Sequence, residues 1–160
     1  MASVSYTHLD VYKRQVTVKE GFPLAIGSSG NGLTYFGAGQ HVDVVGDLHV
    51  SDKNRLHWFN NTAAGQSGAA FAVAAPWTQG NAPRYFSNLR SPGYKNWDLS
   101  IQKFFPIWKE LLRGQFRVDM YNGLNHTNYF APNTTMGGGF GTITEAWAPR
   151  QMQGVLKLIW

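Results

Sequence analysis

Three segments in the second half of the chain alternate apolar and polar side chains with the two-residue period of a β-strand, in which successive side chains point to opposite faces. The clearest runs from Leu112 to Tyr121, where one parity is apolar or small and the other is mostly polar. The first set is Leu112, Gly114, Phe116, Val118 and Met120, and the second is Arg113, Gln115, Arg117, Asp119 and Tyr121. This pattern predicts a strand over 110–124 with one apolar face and one polar face.

Two further segments, 97–107 and 150–160, follow the same rule. Their apolar sets are Trp97, Leu99, Ile101 and Phe105 in the first, and Met152, Gly154, Leu156, Leu158 and Trp160 in the second. A fourth strand is predicted over 16–26, although Pro23 removes one backbone donor from the ladder. The sequence therefore predicts an all-β fold of antiparallel strands.

The lengths and ends of these strands favour a membrane-spanning role. Each runs for about ten residues, which is the length that a tilted strand needs to cross the hydrocarbon layer and is longer than the soluble average. Trp97 stands near one end of its strand, whereas Trp108 and Trp160 stand near the opposite level. Two such levels are typical of the aromatic belts at the two membrane interfaces.

The pairing between the second and third strands can be predicted from the turn that joins them. If 106–109 forms a four-residue turn, Phe105 faces Glu110, and Leu99 then lies opposite Phe116 with Asp98 opposite Arg117. This register matches apolar with apolar side chains and polar with polar ones. A slip of one residue would mix the two faces.

Long connections alternate with this short turn. The segments 27–96 and 125–149 are rich in Gly, Asn, Thr and Pro and show no sustained alternation, so they are predicted to be long loops, with a β-prone piece at 41–45. Outer-membrane barrels have short periplasmic turns and longer extracellular loops. The asymmetry therefore favours antiparallel strands of a transmembrane β-barrel with long extracellular loops.

The first fifteen residues are treated separately. The stretch "SYTHLDVYKRQ" resembles translated adapter sequence that recurs at the ends of metagenomic reading frames, and its apolar residues keep no steady parity. Residues 1–15 are therefore predicted to be non-native. The domain is expected over 16–160.

Composition supports this interpretation. Charged residues make up 14% of the 160 residues, against roughly 25% in typical soluble domains. No apolar run reaches the length of about 18 residues that a membrane helix requires. The net charge of +5 is scattered along the chain, which disfavours nucleic acid as a partner.

Candidate chemistry is sparse. The cluster His41, Asp43, Asp47 and His49 has residue types suited to a divalent metal, but polar residues commonly group in loops, so no metal site is predicted. "GGGFG" at 137–141 lacks the helix start of a phosphate-binding loop and indicates flexibility. No nucleophile, base and orienting group occur together, so neither an enzyme nor a cofactor is predicted.

Several motifs carry a resemblance to a known family. The stretches "GFPLAI", "VVGD", "WFN", "NWDLSIQKFFPI", "LRGQFRVDMYNGLNHTNYFAPNT", "FGTIT" and "APRQMQGVLKLIW" occur in this order between Gly21 and Trp160. They resemble the C-terminal part of TonB-dependent outer-membrane receptors, in particular the Oar-like group common in Acidobacteria. That family usually ends on phenylalanine, where this chain has Trp160.

The resemblance implies a barrel of about 22 strands with a plugged lumen, of which this chain supplies the final strands, the seam and extracellular loops. The implied location is the bacterial outer membrane, and the implied partners are outer-membrane lipid, the missing N-terminal plug and barrel strands, TonB and the barrel-insertion machinery. The residues assigned by parity and resemblance are a C-terminal insertion signal at Gly154, Leu156, Leu158 and Trp160, a lipid-facing set at Leu99, Ile101, Phe116 and Val118, and a lumen-facing set at Arg113, Gln115, Arg117 and Asp119.

One alternative remains open at this stage. A soluble secreted β-sandwich also alternates apolar and polar residues, and it could bind carbohydrate through the aromatic residues of 57–86. In that case the apolar rows would be sealed between two sheets.

Overall fold

A computed structural model describes residues 11–28, 41–108 and 111–160. Within these ranges the chain forms eight strands and no helix, and every strand pair is antiparallel, which confirms the all-β prediction. The strands are β1 Val11–Lys19, β2 Pro23–Leu24, β3 Asp43–Val44, β4 Phe71–Ala72, β5 Phe86–Arg90, β6 Tyr94–Trp108, β7 Leu112–Tyr121 and β8 Gln151–Ile159. None of the described residues belongs to a helix long and apolar enough to cross a membrane.

The four long strands form one sheet in the order β1-β6-β7-β8. Each is antiparallel to its neighbour, so the chain runs up and down through the sheet in sequence order. The connection from Lys19 to Tyr94 and the connection from Tyr121 to Gln151 leave the sheet at the same end, and the short β6–β7 turn lies at the other. Among the described strands, β1 and β8 do not pair with each other, so the sheet is open.

The β6–β7 register differs from the predicted one. Leu99 pairs with Met120 instead of Phe116, a shift of four residues, and Phe105 pairs with Gly114. Asp98 likewise does not face Arg117, whose partner is Gln102. Because the shift is an even number of residues, each side chain keeps its predicted face.

The turn explains the shift. Residues 106–108 were predicted to lie in the turn, but they remain in β6, with an irregularity between Pro106 and Trp108 where a missing backbone donor is tolerated. The backbone N–H of Leu111 donates to the Trp108 carbonyl at 2.8 Å and closes the reversal beyond the predicted position. Glu110 lies outside the described residues.

The predicted first strand over 16–26 is also wrong in its extent. β1 begins earlier, at Val11, and ends at Lys19, after which Pro23–Leu24 pairs with β5. The break occurs where Gly21 packs against the Ser91 carbonyl so closely that a β-carbon would not fit. The backbone N–H of Phe22 donates to Ser91 Oγ at 3.0 Å, and Arg90 Nε donates to the Gly21 carbonyl at 2.8 Å. The segment after β1 is therefore bonded to β5 and its flank, and not to the long sheet.

The chain divides into two compact units. The sheet unit contains β1, β6, β7 and β8 with their immediate flanks, namely Met1–Lys19, Tyr94–Thr127 and Ala148–Trp160. The loop unit consists of Glu20–Gly93 and Asn128–Trp147. The predicted long loops therefore form a unit of their own.

The loop unit has an aromatic core. Phe59, Phe71, Phe86 and Phe140 are buried and meet edge to face, with ring centroids 5.0 to 6.0 Å apart. Such pairs contribute roughly 0.5–1.5 kcal/mol each beyond the burial of their surface. Segments predicted to be irregular loops are thus held by a packed interior.

The glycine-rich stretch 137–141 is ordered by this core. Phe140 points into the aromatic cluster, and Gly141 adopts a φ of 73° that a side chain would disfavour. Asn61 Nδ2 donates to the Phe140 carbonyl at 2.9 Å, and the Trp58 N–H donates to the Gly141 carbonyl at 3.1 Å. The glycines of "GGGFG" also have a structural role that the sequence did not predict, because they allow a tight turn that places a phenylalanine.

Candidate functional site: the two faces of the sheet

The long sheet has one face, here called the apolar face, on which the apolar sets of the strands come together. Ile101 pairs with Val118, and Phe116 pairs with Leu156 on the next strand. Its apolar members are Tyr12, Val16, Val18, Trp97, Leu99, Ile101, Phe105, Leu112, Phe116, Val118, Met120, Met152, Leu156 and Leu158. The structure thus places Leu99, Ile101, Phe116 and Val118 on one face, as the parity predicted.

Within the described part of the chain, much of this face is exposed. Val16 keeps 63% of its surface exposed, Phe116 keeps 47% and Leu156 keeps 67%, while Leu99 is half-buried among its neighbours. A contiguous apolar surface across four strands is larger than the scattered exposed residues normal for a monomer in water. The face therefore calls for an apolar environment outside the sheet.

Three cations interrupt the apolar face. Arg14 lies opposite Leu99, Lys103 lies opposite Phe116, and Lys95 lies opposite Val18 near one end of the sheet. Long basic side chains can lay their methylene groups along an apolar surface while the charged end reaches a polar layer. The predicted apolar sets did not include these three positions.

The opposite surface of the sheet, here called the polar face, carries Arg113, Gln115, Arg117 and Asp119. Arg117 Nε lies 2.9 Å from each carboxylate oxygen of Asp119, and Ser100 Oγ donates to the same carboxylate at 2.5 Å. Ser100 stands directly opposite Asp119 in the β6–β7 ladder. These contacts cross-link the two strands through their polar side chains.

A second polar group fixes the end of β7. Asp98 Oδ1 accepts hydrogen bonds from Asn96 Nδ2 at 2.8 Å and from the Asn122 backbone N–H at 3.0 Å. The buried Asn122 side chain in turn accepts from the His126 backbone N–H and donates to the His126 carbonyl, at 3.0 and 2.9 Å. Sequence reasoning missed this cap, and its signal was the "NGLN" run directly after the alternating segment.

Reversing the charge of Arg117 is expected to destabilise the sheet. A glutamate at this position removes both contacts to Asp119 and puts two carboxylates side by side on the polar face. Chemical denaturation of the Arg117→Glu chain should show a lower midpoint than the parent chain. Arg113→Glu is the matched control, because within the described residues the Arg113 side chain forms no ion pair; equal effects of the two substitutions would contradict the role of this network.

The residues of the proposed C-terminal signal lie on and beyond the last strand. Gly154, Leu156 and Leu158 lie on the apolar face of β8, whose ladder with β7 extends from Gln151 to Ile159. Trp160 follows the strand and is 92% exposed. The register sets Trp108 and the end of β8 near one level of the sheet, with Trp97 toward the other, in agreement with the predicted distribution of tryptophans.

The polar loop cluster does not converge on a metal site. Asp43 Oδ1 accepts from the Asn81 N–H at 3.0 Å, and Asp47 Oδ1 accepts from the His49 N–H at 3.0 Å. Within the described part of the chain no three His, Cys, Asp or Glu side chains are arranged to hold a metal ion. Asp43 thus joins two segments that are distant in sequence, and Asp47 shapes a local turn.

The aromatic residues of 57–86 divide into two groups. Phe59, Phe71 and Phe86 are buried in the loop-unit core, whereas Trp77 and Tyr85 remain exposed. Packing within the loops therefore accounts for the three phenylalanines, which are not available to a ligand.

Comparison with known proteins agrees with the sheet geometry. A family model described as "outer membrane beta barrel domain" matches residues 13–153. No curated protein and no solved structure matches the chain significantly.

Proposed function

This chain belongs to the outer membrane beta barrel domain family, and on that premise we propose that it forms the closing strands of a TonB-dependent receptor barrel. Members of this family reside in the bacterial outer membrane, which is the location of this chain, and they are typically not enzymes. The receptor assignment is supported by the ordered motifs between Gly21 and Trp160.

The observation that carries the proposal is the uncovered apolar face. Side chains from all four long strands combine there, and the central residues Phe116 and Leu156 are exposed directly opposite each other. Acyl chains are the occupant that we propose for this face. In a bilayer such a row contributes stability, whereas in water it would promote aggregation.

The polar face is proposed to look into the lumen. Barrel strands of the outer membrane alternate an apolar outer side with a polar inner side. Arg113, Gln115, Arg117 and Asp119 lie on the inner side in this arrangement and are available to the plug and to water. The plug, the remaining strands and TonB, which delivers the energy for uptake, are the partners that we propose for the whole receptor.

The lengths of the connections differ between the two ends of the sheet, as they do in such a barrel. Both long connections leave one end of the sheet, and the short β6–β7 turn lies at the other end. We assign the long connections, which form the loop unit, to the extracellular side. The chain end after β8 then lies on the periplasmic side.

Zero cysteines in the chain allow a direct test by single-site labelling. Leu156→Cys and Val155→Cys place a fluorophore at neighbouring positions on opposite faces of β8. In bilayers, brominated lipids should quench the probe at 156, and aqueous iodide should quench the probe at 155. A monodisperse chain in the absence of detergent, with the probe at 156 shielded from both quenchers, would instead favour the soluble β-sandwich.

TonB dependence needs a separate measurement. A full-length receptor that carries this sequence should retain the periplasmic domain of TonB in a pull-down assay. A full-length protein without a plug, or one that does not retain TonB, would contradict the receptor assignment and leave membership of the barrel family intact.

The terminal aromatic residue is proposed to act during assembly. Because Trp160 is almost fully exposed, it contributes little packing, and Trp160→Ala should leave the unfolding free energy of the assembled chain within about 0.5 kcal/mol of the parent. Its insertion by purified barrel-insertion machinery should nevertheless be slower. Val155→Ala, on the other face of β8, is the control, and unchanged insertion of the Trp160 variant would argue against the signal.

A further inference from the structure

The loop unit contains an open cavity of ≈ 620 Å³. Small-molecule sites typically occupy roughly 300–1,000 Å³. Its polar lining comes from four described segments of the unit, and consists there of Ser28, His41, Gln79, Arg84, Thr134 and Thr135. The cavity is therefore large enough for a small ligand and is built entirely within one compact unit.

Backbone pairing holds the walls of the cavity in place. Gly27 forms an antiparallel bridge to His41 and a parallel bridge to Thr135. Its N–H donates to the Thr134 carbonyl at 3.0 Å, and its carbonyl accepts from the Met136 N–H at 2.9 Å. The segments that carry four of the six polar side chains are thus fixed before any ligand binds, which reduces the entropic cost of binding.

Within the described ranges, the six polar side chains of the lining are available to a ligand. None of them forms a side-chain hydrogen bond or ion pair with another residue of those ranges, and none of the described lining residues is acidic. The guanidinium of Arg84 lies 5.7 Å from the ring of Tyr85, its neighbour in the chain. Among the described residues Arg84 therefore has no carboxylate partner, and with hydroxyl, amide and imidazole groups beside it the lining matches a ligand that carries its own carboxylate.

We propose that this cavity binds a small carboxylate with several hydroxyl groups, the chemistry of an acidic sugar. Arg84 pairs with the carboxylate through charge-assisted hydrogen bonds, which are stronger than neutral ones. Ser28, Gln79, Thr134 and Thr135 match the hydroxyl groups. The inference rests on the proposed function in one respect only, namely that the loop unit is exposed to the extracellular medium and gives the receptor its ligand class.

The test uses the complete 160-residue chain in lipid nanodiscs. Calorimetric titration with digalacturonate should give saturable binding, and the dimethyl ester of the same disaccharide, which keeps the hydroxyl groups and loses the charge, should bind roughly tenfold or more weakly. Inorganic phosphate should not compete at equal concentration. Absence of binding, equal binding of the ester, or equal competition by phosphate would each overturn the assignment.

Two variants locate the site. Arg84→Gln should weaken digalacturonate binding by roughly tenfold or more, because one charge-assisted interaction is lost. Arg55→Gln, an exposed arginine of the same unit that does not line the cavity, should bind as the parent does. Equal affinities of the two variants would refute the role of this cavity even if the chain binds the ligand elsewhere.

The same nanodisc preparation separates this inference from the proposed function. Lipid quenching at position 156 reports on the sheet, whereas titration reports on the cavity. Quenching without binding would overturn the ligand assignment and leave the barrel intact. Binding without quenching would support the ligand site while contradicting the membrane orientation of the sheet.

Discussion

Leu156→Arg is expected to destabilise the membrane-inserted chain by about 2–4 kcal/mol, the cost of a basic residue on the lipid face of a barrel strand near the bilayer midplane. Leu156 lies in the middle of β8, on the apolar face opposite Phe116, with 67% of its surface exposed. Arginine here must either bring its charge into hydrocarbon or distort the strand to reach a polar layer. Denaturant unfolding in lipid vesicles, followed by tryptophan fluorescence, measures the difference.

Val155→Arg provides the matched control, since it introduces the same side chain one position earlier on the polar face. Val155 lies opposite Arg117 in the β7–β8 ladder. Val155→Arg should lower the unfolding free energy by less than Leu156→Arg does. The remaining loss of stability should become smaller with added salt, because it comes from repulsion between two arginines. A larger loss at 155 than at 156 would mean that the assignment of the two faces is reversed.

Phe71→Ala is expected to cost about 3–5 kcal/mol in the stability of the loop unit, the range for deleting a buried phenylalanine side chain. Phe71 is 1% exposed and contacts the rings of Phe59, Phe86 and Phe140. Alanine would leave a cavity at the point where these three rings meet. Hydrogen exchange of backbone amides in 41–90 and 128–147 measures the loss as faster exchange.

Tyr85→Ala tests whether that effect arises from packing. Tyr85 is also aromatic and belongs to the same unit, but 57% of its surface is exposed. Its removal should change stability by less than about 1 kcal/mol. Protection that survives in Phe71→Ala, or that is lost equally in Tyr85→Ala, would show that the aromatic cluster does not stabilise the unit.

The faces of the long strands could be predicted from sequence because they depend only on parity. Phe116, Val118 and Leu156 fall on one face in any register that shifts by an even number of residues. The register itself depends on the turn, and Pro106 suggested a reversal earlier than the one that forms. The structure keeps Pro106 in β6, opposite Arg113.

The polar network shows the consequence of that register. Parity placed Arg117 and Asp119 on the same face, but the predicted register set Ser100 opposite Gln115. The structure sets Ser100 opposite Asp119, where the hydroxyl group binds the carboxylate. The sequence therefore predicted the faces of the strands correctly, but the incorrect position of the turn led to incorrect cross-strand partners.

The loop unit could not be predicted for a different reason. Its buried core residues are scattered over short elements, such as Leu24 in β2, Phe71 in β4 and Phe86 in β5, and over segments outside the strands, so they have no period that a sequence pattern can reveal. The β-prone piece at 41–45 contains β3, and the predicted strand over 16–26 contains β2, although it was assigned to the long sheet. The role of Phe140 depends on contacts with a segment far away in the chain.

The aromatic cluster of the loop unit also indicates the order in which parts of the chain fold. Phe71 and Phe140 lie on either side of the β6–β7 hairpin in the sequence, so the aromatic cluster can close only after that hairpin has been synthesised and exported. Contacts between distant segments form slowly because a long loop must close first, whereas a hairpin with a short turn forms quickly. We therefore expect the hairpin to nucleate and the aromatic cluster to form last.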